Sequence, residues 1–404
     1  MRRQSVLNGW VLLFILFPIA TVSQPDSQIS IDDIEFEFIP GTSLSIQASI
    51  TNAEHISELG LVITSALGTQ FIPVDLPNMD GIAEIQVRLF LDVSHYPLVP
   101  FSELHYWWQI TDTTGAQSHT PERSYMLVDD RYAWRLIERN GLSIYWTKDN
   151  NELGSLVWQQ VEDSNEYIGA ALGPVSSDST IVVYEAGNNI QQIIDSEVPD
   201  WQGVTYPDSG LIIVTTEENG VSSSWVLETI THELVHLAAA RVAAGTNNTP
   251  MWIHEGLALG SMPNRALSAP PTLIDALHDR ELIPIKNLCR AFPIDKKARS
   301  LAGEQSMSLV AYLQQTYGSD IVGRLIKAHE NAANCGDGVS RILDISIDQL
   351  ESNWQEWLLA RASKTSASQN DAYITLWVAL LCAPVLITVW ITVGTRSQHG
   401  DEIK

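Results

Sequence analysis

Basic residues are scarce in this chain: its 404 residues include 23 Lys and Arg against 48 Asp and Glu, a formal net charge of −25. A phosphate backbone must be met by a basic surface, so this balance argues against nucleic acid as a partner. Cysteine is scarcer still, and three cysteines are too few for a disulfide-rich scaffold. The hydrophobic fraction of 45% is ordinary, which excludes wholesale disorder.

The N-terminal stretch lacks charge between Arg3 and Asp26. It contains the apolar run VLLFILFPI at 11–19, followed by small residues, and this layout predicts a secretory signal peptide over 1–23. An uncleaved anchor helix is the alternative. Pro18 shortens the apolar stretch below the about 20 residues that a span requires, so cleavage is favoured.

The C-terminal end lacks charge over a longer stretch. Residues 372–394 are uncharged, long enough for one transmembrane helix, and rich in the aromatic residues that suit membrane interfaces. The polar segment 363–371 before it predicts a flexible stalk, and 395–404 a cytoplasmic tail. Together with an N-terminal signal, this helix predicts a single-pass type I protein of the cell membrane, with everything before it extracytoplasmic.

The region 28–129 reads as strands that alternate apolar and polar residues, separated by turn residues. Regular short strands of this kind predict an all-β sandwich, and the late stretch YWWQITDTTGAQSHT resembles a hairpin of immunoglobulin or fibronectin-III modules. The module contains no cysteine, which excludes an antibody-type disulfide. The aromatic run at 106–108 is either a face that binds a glycan or a partner, or packing within the module. The second reading is favoured. The predicted strands are 33–39, 43–50, 59–66, 82–90 and 103–112.

Helical periodicity dominates 131–362, with two apolar strands embedded at 180–186 and 210–218. Helices around a small sheet indicate an α+β domain. The helices predicted here are 152–171, 187–196, 222–245, 251–260, 302–317 and 347–362.

The chemistry lies in the sequence HELVH, inside the helix predicted over 222–245. His232 and His236 are four residues apart, so both imidazoles share one helix face and can reach one metal ion. Neutral imidazole suits Zn²⁺. The carboxylate of Glu233 would reach a water on that ion, where it can act as general base. Glu228, one turn earlier, is a candidate for orienting an imidazole, and a solvent-facing position is its alternative.

A catalytic zinc needs a third protein ligand. Glu255 follows His236 by nineteen residues, on a second helix that a short loop joins to the first. His254 is the competing ligand, but adjacent helical residues point about 100° apart, so only one of the pair can face the ion easily. The metzincin spacing would need Gly and His where Ala239 and Val242 stand, which excludes that class.

HELVH followed by PMWIHEGLA resembles the gluzincin metallopeptidases, in particular the bacterial peptidase MA-like domains with a W-x-x-E-G-x-A helix. The segment QSMSLVAYLQQTYG at 305–318 extends the likeness. The resemblance implies a zincin-like α+β domain holding one catalytic Zn²⁺ and acting on peptide or protein substrates. Carried over by residue, His232, His236 and Glu255 would be ligands and Glu233 the catalytic base.

One departure from the family concerns the oxyanion. Relatives often open the downstream helix with a tyrosine, whereas this chain has Leu-Ala-Gly at 301–303. Tyr312 and Tyr317 lie further along and are expected to be packing residues. No oxyanion donor is assigned, which leaves an alternative function open: a catalytically weak or inactive peptidase-like surface protein that acts in binding or assembly.

Cys289 and Cys335 are the only cysteines between the two apolar ends. Outside the cytoplasm a pair in one domain is often a disulfide, but distance cannot be read from sequence. The pair is therefore either a disulfide or two free thiols. Cys382 falls within the predicted membrane helix.

Overall fold

A computed structural model of the protein describes residues 29–65, 68–93, 98–147, 152–173, 178–185, 203–216, 223–244, 246, 248–262 and 270–362. The predicted signal peptide, stalk, transmembrane helix and tail lie outside these residues, as does the helix predicted at 187–196. Within the described residues, no helix combines the length and apolar character that a membrane crossing requires.

Eight antiparallel strands build the N-terminal region, because alternating residues give each strand one apolar face. One sheet has the order β1-β2-β5, and the other the order β4-β3-β6-β7, with β8 also pairing with β6. A hydrophobic cluster draws on both sheets. The strands are β1 Ser30–Ile39, β2 Ser43–Thr51, β3 Ile56–Ser65, β4 Gly68–Val74, β5 Glu84–Asp92, β6 Glu103–Asp112, β7 Gln117–His119 and β8 Arg123–Met126.

Asp33 ties the two sheets of this region together. Its carboxylate, on β1, accepts hydrogen bonds from the Tyr106 hydroxyl at 2.6 Å and from Trp108 Nε1 at 2.9 Å, both on β6. Arg123 on β8 donates to the same carboxylate at 2.5 Å. Tyr106 and Trp108 are therefore buried core residues, and of the run 106–108 only Trp107 is partly exposed.

A five-stranded mixed sheet follows, with the order β12-β13-β11-β10-β9. Its three inner strands run parallel, and both outer strands pair antiparallel. The strands are β9 Trp134–Arg139, β10 Leu142–Thr147, β11 Ser179–Tyr184, β12 Gly203–Tyr206 and β13 Leu211–Thr215. Because side chains alternate along a strand, one face of the sheet packs under the helices in a single large core.

The helices of this domain are α1 Leu153–Leu172, α2 Ser223–Val242, α3 Met251–Ser261, α4 Pro271–Asp279, α5 Lys296–Tyr317, α6 Ile321–His329, α7 Cys335–Leu343 and α8 347–362. The predicted start of α5 at 302 was wrong. Asp295 caps the helix earlier by accepting the Ala298 N–H at 2.9 Å, and the charged turn that follows carries no apolar period to reveal it.

The opposite face of the mixed sheet is covered from the N-terminal region. Phe101, in the loop before β6, packs against Trp134, Tyr145 and Tyr184 with ring centroids 4.9, 4.7 and 6.5 Å away. The fully buried Asp129 lies beside them and accepts a hydrogen bond from the Tyr184 hydroxyl at 3.1 Å. The two regions thus share a small aromatic core and are packed against each other.

Candidate metal centre

The helix α2 presents the two histidines of HELVH at the same face. Their Nε2 atoms lie 3.0 Å apart and their rings meet edge to face. Both side chains are mostly buried, with 15% of His232 and 19% of His236 exposed. The helix is held from behind by buried apolar residues such as Ile230, Leu234 and Val235, which fix the direction in which the imidazoles point.

The third group of the site comes from α3. Glu255 places one carboxylate oxygen 3.5 Å from His236 Nε2 and the other 3.7 Å from His232 Nε2. The residue after it, Gly256, lets α3 lie directly on α5, since a Cβ there would stand 2.4 Å from the Ser306 carbonyl oxygen. A larger residue at 256 would therefore move the helix that carries Glu255.

These three side chains form a donor set that fits a metal ion. Their ligating atoms all lie within 4.8 Å of one another. A tetrahedral ion with bonds of about 2.0–2.1 Å holds its ligand atoms about 3.3 Å apart, close to the separations of 3.0, 3.5 and 3.7 Å found here. Two imidazoles and one carboxylate, opening onto a cleft, are a ligand set of the catalytic zinc type.

Glu233 points into the same cleft without joining the donor set. It is 7% exposed, and Thr205 Oγ1 on β12 donates to one carboxylate oxygen at 2.8 Å. Burial raises the pKa of Glu233, while the neighbouring His236 and the Thr205 hydrogen bond act in the opposite direction. Gly203 makes room for it, because a Cβ there would lie 2.8 Å from the Glu233 side chain.

The remaining predicted residues lie around this centre. His254 stacks on His236 at 5.9 Å and does not belong to the three-donor group. Burial, together with His236, lowers the pKa of His254 to about 4, so the imidazole is neutral at pH 7. Glu228 lies one turn before His232 and is partly exposed, and its role in orienting that imidazole stays a prediction. Tyr312 packs against Tyr317 and Trp357, away from the donor set.

Cys289 and Cys335 are joined by a disulfide, with their Cα atoms 6.1 Å apart. Both residues line the cleft above the donor set. The cleft has a volume of about 1390 Å³. The Cys289 carbonyl accepts the N–H of Met251, the first residue of α3, at 2.9 Å. The disulfide therefore fixes a wall of the cleft to the start of the helix that carries Glu255.

Thr205 and Gly203 are the site residues that sequence reasoning missed. They lie on a four-residue strand that follows no motif, and only the packing of β12 against α2 brings them to Glu233. A threonine and a glycine nearly thirty residues before the histidines give no signal of their own in a single sequence.

In this α+β domain, two histidines on one helix and a glutamate on the next form a candidate metal centre with three ligands. These features define the general class of the protein as one with a candidate metal site. Residues 165–360 match the family model described as the Peptidase MA superfamily. The match is consistent with a gluzincin-like peptidase MA domain in this region and supports a hydrolase of the peptidase type.

Two further comparisons add little. No curated protein sequence matches the chain. Among solved structures, the chain is similar to a polysaccharide deacetylase from Bacillus cereus, at 9% identity and a TM-score of 0.20. That similarity covers 50% of this chain and 66% of the other, just under two thirds. A likeness this weak supports no conclusion about fold or function.

Proposed function

We propose that the protein is a zinc-dependent metallopeptidase of the gluzincin type, which hydrolyses peptide bonds in peptide or protein substrates. The observation that carries the proposal is the convergence of His232, His236 and Glu255 on one point, beside a buried glutamate in an open cleft. The match of 165–360 to the Peptidase MA superfamily supports it independently.

Each residue of the centre has a distinct task. His232, His236 and Glu255 would hold Zn²⁺, which supplies Lewis acidity towards a scissile carbonyl and a water. Glu233 accepts the proton that the attacking water loses, and then delivers it to the departing amine nitrogen. Thr205 holds the Glu233 carboxylate in place by its hydrogen bond at 2.8 Å, so that the proton is received at a fixed position.

The substrate has a natural place beside the centre. Among the described strands, β12 is the outermost of its sheet, and its outer edge is free of a partner strand. Gly203 and Thr205 of this strand line the cleft together with the donor set. An extended peptide can add to this edge through main-chain hydrogen bonds, which would draw its backbone past Glu233.

We further propose that the domain acts outside the cytoplasm, anchored in the cell membrane by residues 372–394 after export through a signal at 1–23. The sequence patterns at both ends support this topology, as does the disulfide, since such bonds persist in oxidising compartments. Carbonate extraction of membranes and protease treatment of intact cells test it. A domain shielded from added protease in intact cells, and released from membranes by carbonate, would contradict the topology.

We also propose that the N-terminal region is a sandwich of the immunoglobulin and fibronectin-III class. The support is a three-stranded and a larger antiparallel sheet around one core, with β1, β2 and β5 in one sheet and β3 and β6 central in the other.

The activity is tested by Glu233→Gln, which keeps the shape of the side chain and removes its basicity. The full chain is assayed on a denatured protein library with and without a chelator, and its bound metal is measured by elemental analysis. We expect one zinc ion per chain in both proteins, chelator-sensitive cleavage by the wild type, and a loss of at least about 100-fold in the variant.

The control is Glu166→Gln, the same change at an exposed position on α1, which should cleave like the wild type. Wild-type protein that binds no stoichiometric metal, or cleavage that persists in Glu233→Gln, would refute the proposed mechanism. Stoichiometric zinc without any cleavage would favour the binding or assembly function instead.

A further inference from the structure

The wall of the cleft beside the disulfide is basic, in a protein that is otherwise strongly acidic. Residues 286–299 contain five of the 23 basic residues of the chain and a single acidic one. Two of the five, Lys286 and Arg290, line the cleft that holds His232, His236 and Glu255. Part of this positive charge therefore lies on the cleft where a substrate would bind.

The described lining of the cleft contains no carboxylate that would neutralise this wall. Its only acidic residues are Glu233 and Glu255, and both belong to the centre itself. Within the described residues neither Lys286 nor Arg290 forms an ion pair. Lys286 interacts electrostatically with Glu351, whose carboxylate accepts the Ile285 N–H at 3.1 Å. Two cationic heads are thus available to a bound ligand.

The two basic side chains are carried by a rigid segment. Ile285 and Leu288, on either side of Lys286, are each 1% exposed and anchor the segment in the main core. Cys289 precedes Arg290, and its disulfide and its carbonyl bond to Met251 connect the segment to two other parts of the cleft. The backbone that carries Lys286 and Arg290 is therefore held in place at the wall of the cleft, which is the kind of support that a specificity-determining residue needs.

We infer that Lys286 and Arg290 select peptide substrates that carry a carboxylate, from Asp, Glu or a chain terminus, on the side of the scissile bond that faces the disulfide. This inference rests on the proposed peptidase function and names its substrate class. With a net charge of −25, the protein as a whole repels acidic peptides. The local excess of basic residues in the cleft attracts them instead. Arg and Lys pair with carboxylates by charge-assisted hydrogen bonds.

The test uses the full-length protein and quenched peptides of one cleavable sequence, in which a single position near the scissile bond is Asp, Asn or Lys. Positions on both sides of the bond are scanned. For the wild type we expect kcat/KM to be at least about fivefold higher for Asp than for Asn at one position, and lower for Lys. The variant K286E/R290E should reverse the order of the Asp and Lys peptides, and Arg290→Gln should reduce the preference.

The matched control is Lys327→Glu, which reverses a charge at an exposed position of α6 outside the cleft. It should keep the preference for Asp. Equal cleavage of the Asp and Asn peptides at every scanned position overturns the inference. So does a preference that Lys327→Glu shifts as strongly as the double variant, because the selectivity would then come from net charge alone.

A binding measurement distinguishes a failure of this inference from a failure of the proposed peptidase function on which it rests. The same peptides, labelled with a fluorophore, are titrated into the Glu233→Gln variant and followed by anisotropy. Tighter binding of the Asp peptide without any wild-type cleavage would contradict the proposed activity and support the inferred selectivity. Cleavage without charge preference would keep the activity and remove the selectivity, and binding that ignores charge would overturn the inference in either case.

Discussion

The substitution Gly256→Ala tests how the packing of α3 against α5 positions the metal centre. An alanine Cβ at this position would lie 2.4 Å from the carbonyl oxygen of Ser306, where ordinary contact begins near 3.4 Å. Backbone stands on both sides of this contact, so α3 and α5 must separate by about 1 Å. Overpacking of this kind costs about 1–3 kcal/mol, which exceeds the gain in helix propensity of at most about 1 kcal/mol.

The same displacement acts on the metal centre, because Glu255 is the neighbouring residue. Its oxygens lie 3.5 and 3.7 Å from the histidine nitrogens, and ligand positions must be held within about 0.5 Å to keep an ion well bound. We expect zinc affinity to fall about 10–100-fold, as when supporting contacts of a metal site are lost. We also expect the thermal midpoint to fall by roughly 4–8 °C for a cost of about 2 kcal/mol.

The control lies one turn along the same helix. A Cβ at Gly260 would be 3.4 Å from the Tyr167 hydroxyl and 3.8 Å from Met307, both ordinary contacts, so Gly260→Ala should be neutral or slightly stabilising. Competition with a chromophoric chelator gives zinc affinity, and thermal unfolding of the chelated protein gives stability without the metal. The reasoning fails if the two alanine variants have the same midpoint and the same zinc affinity.

Three further perturbations test separate parts of the molecule. Thr205→Val removes the hydroxyl that bonds to Glu233 at 2.8 Å, and should lower kcat about 10-fold or more with KM and bound zinc little changed; a change in KM alone would assign Thr205 to substrate binding instead. Replacing both Cys289 and Cys335 by Ser opens a link between residues 46 apart and should cost about 4 kcal/mol in denaturant unfolding; an equal cost in wild type treated with a dithiol reductant confirms that the bond, and not the side chains, is responsible. Asp33→Ala leaves Tyr106, Trp108 and Arg123 without their shared acceptor and should cost about 3 kcal/mol, whereas the exposed neighbour Asp32→Ala should cost little; similar urea midpoints for the two would argue against the Asp33 network.

The local part of the centre is readable from sequence. Two histidines four residues apart on a helix must share a face, and the small Gly256 after Glu255 permits the close approach of backbone that the structure has at Ser306. The alternation of β6 likewise distinguishes the buried Tyr106 and Trp108 from Trp107.

Tertiary neighbours are not readable in the same way. Whether Cys289 meets Cys335 depends on how α5 and α6 fold back across 46 residues, and no spacing in the sequence encodes that distance. The short helices α4, α6 and α7 were missed because nine residues give too few turns for an apolar period to be distinguished from chance. The position of Thr205 beside Glu233 depends on the order of strands, which a single sequence does not fix.

The aromatic core around Phe101 determines whether the region that matches the family can fold when it is moved into another protein. The family match begins at 165, within α1, yet the sheet beneath the centre begins with β9 at Trp134. The far face of that sheet is covered by Phe101, which the chain contributes more than sixty residues before the match. Excised at the family boundary, the region would lose two strands and uncover Tyr184. The region that matches the family is therefore not a complete folding unit, and a gene fusion that moves it must include the N-terminal region.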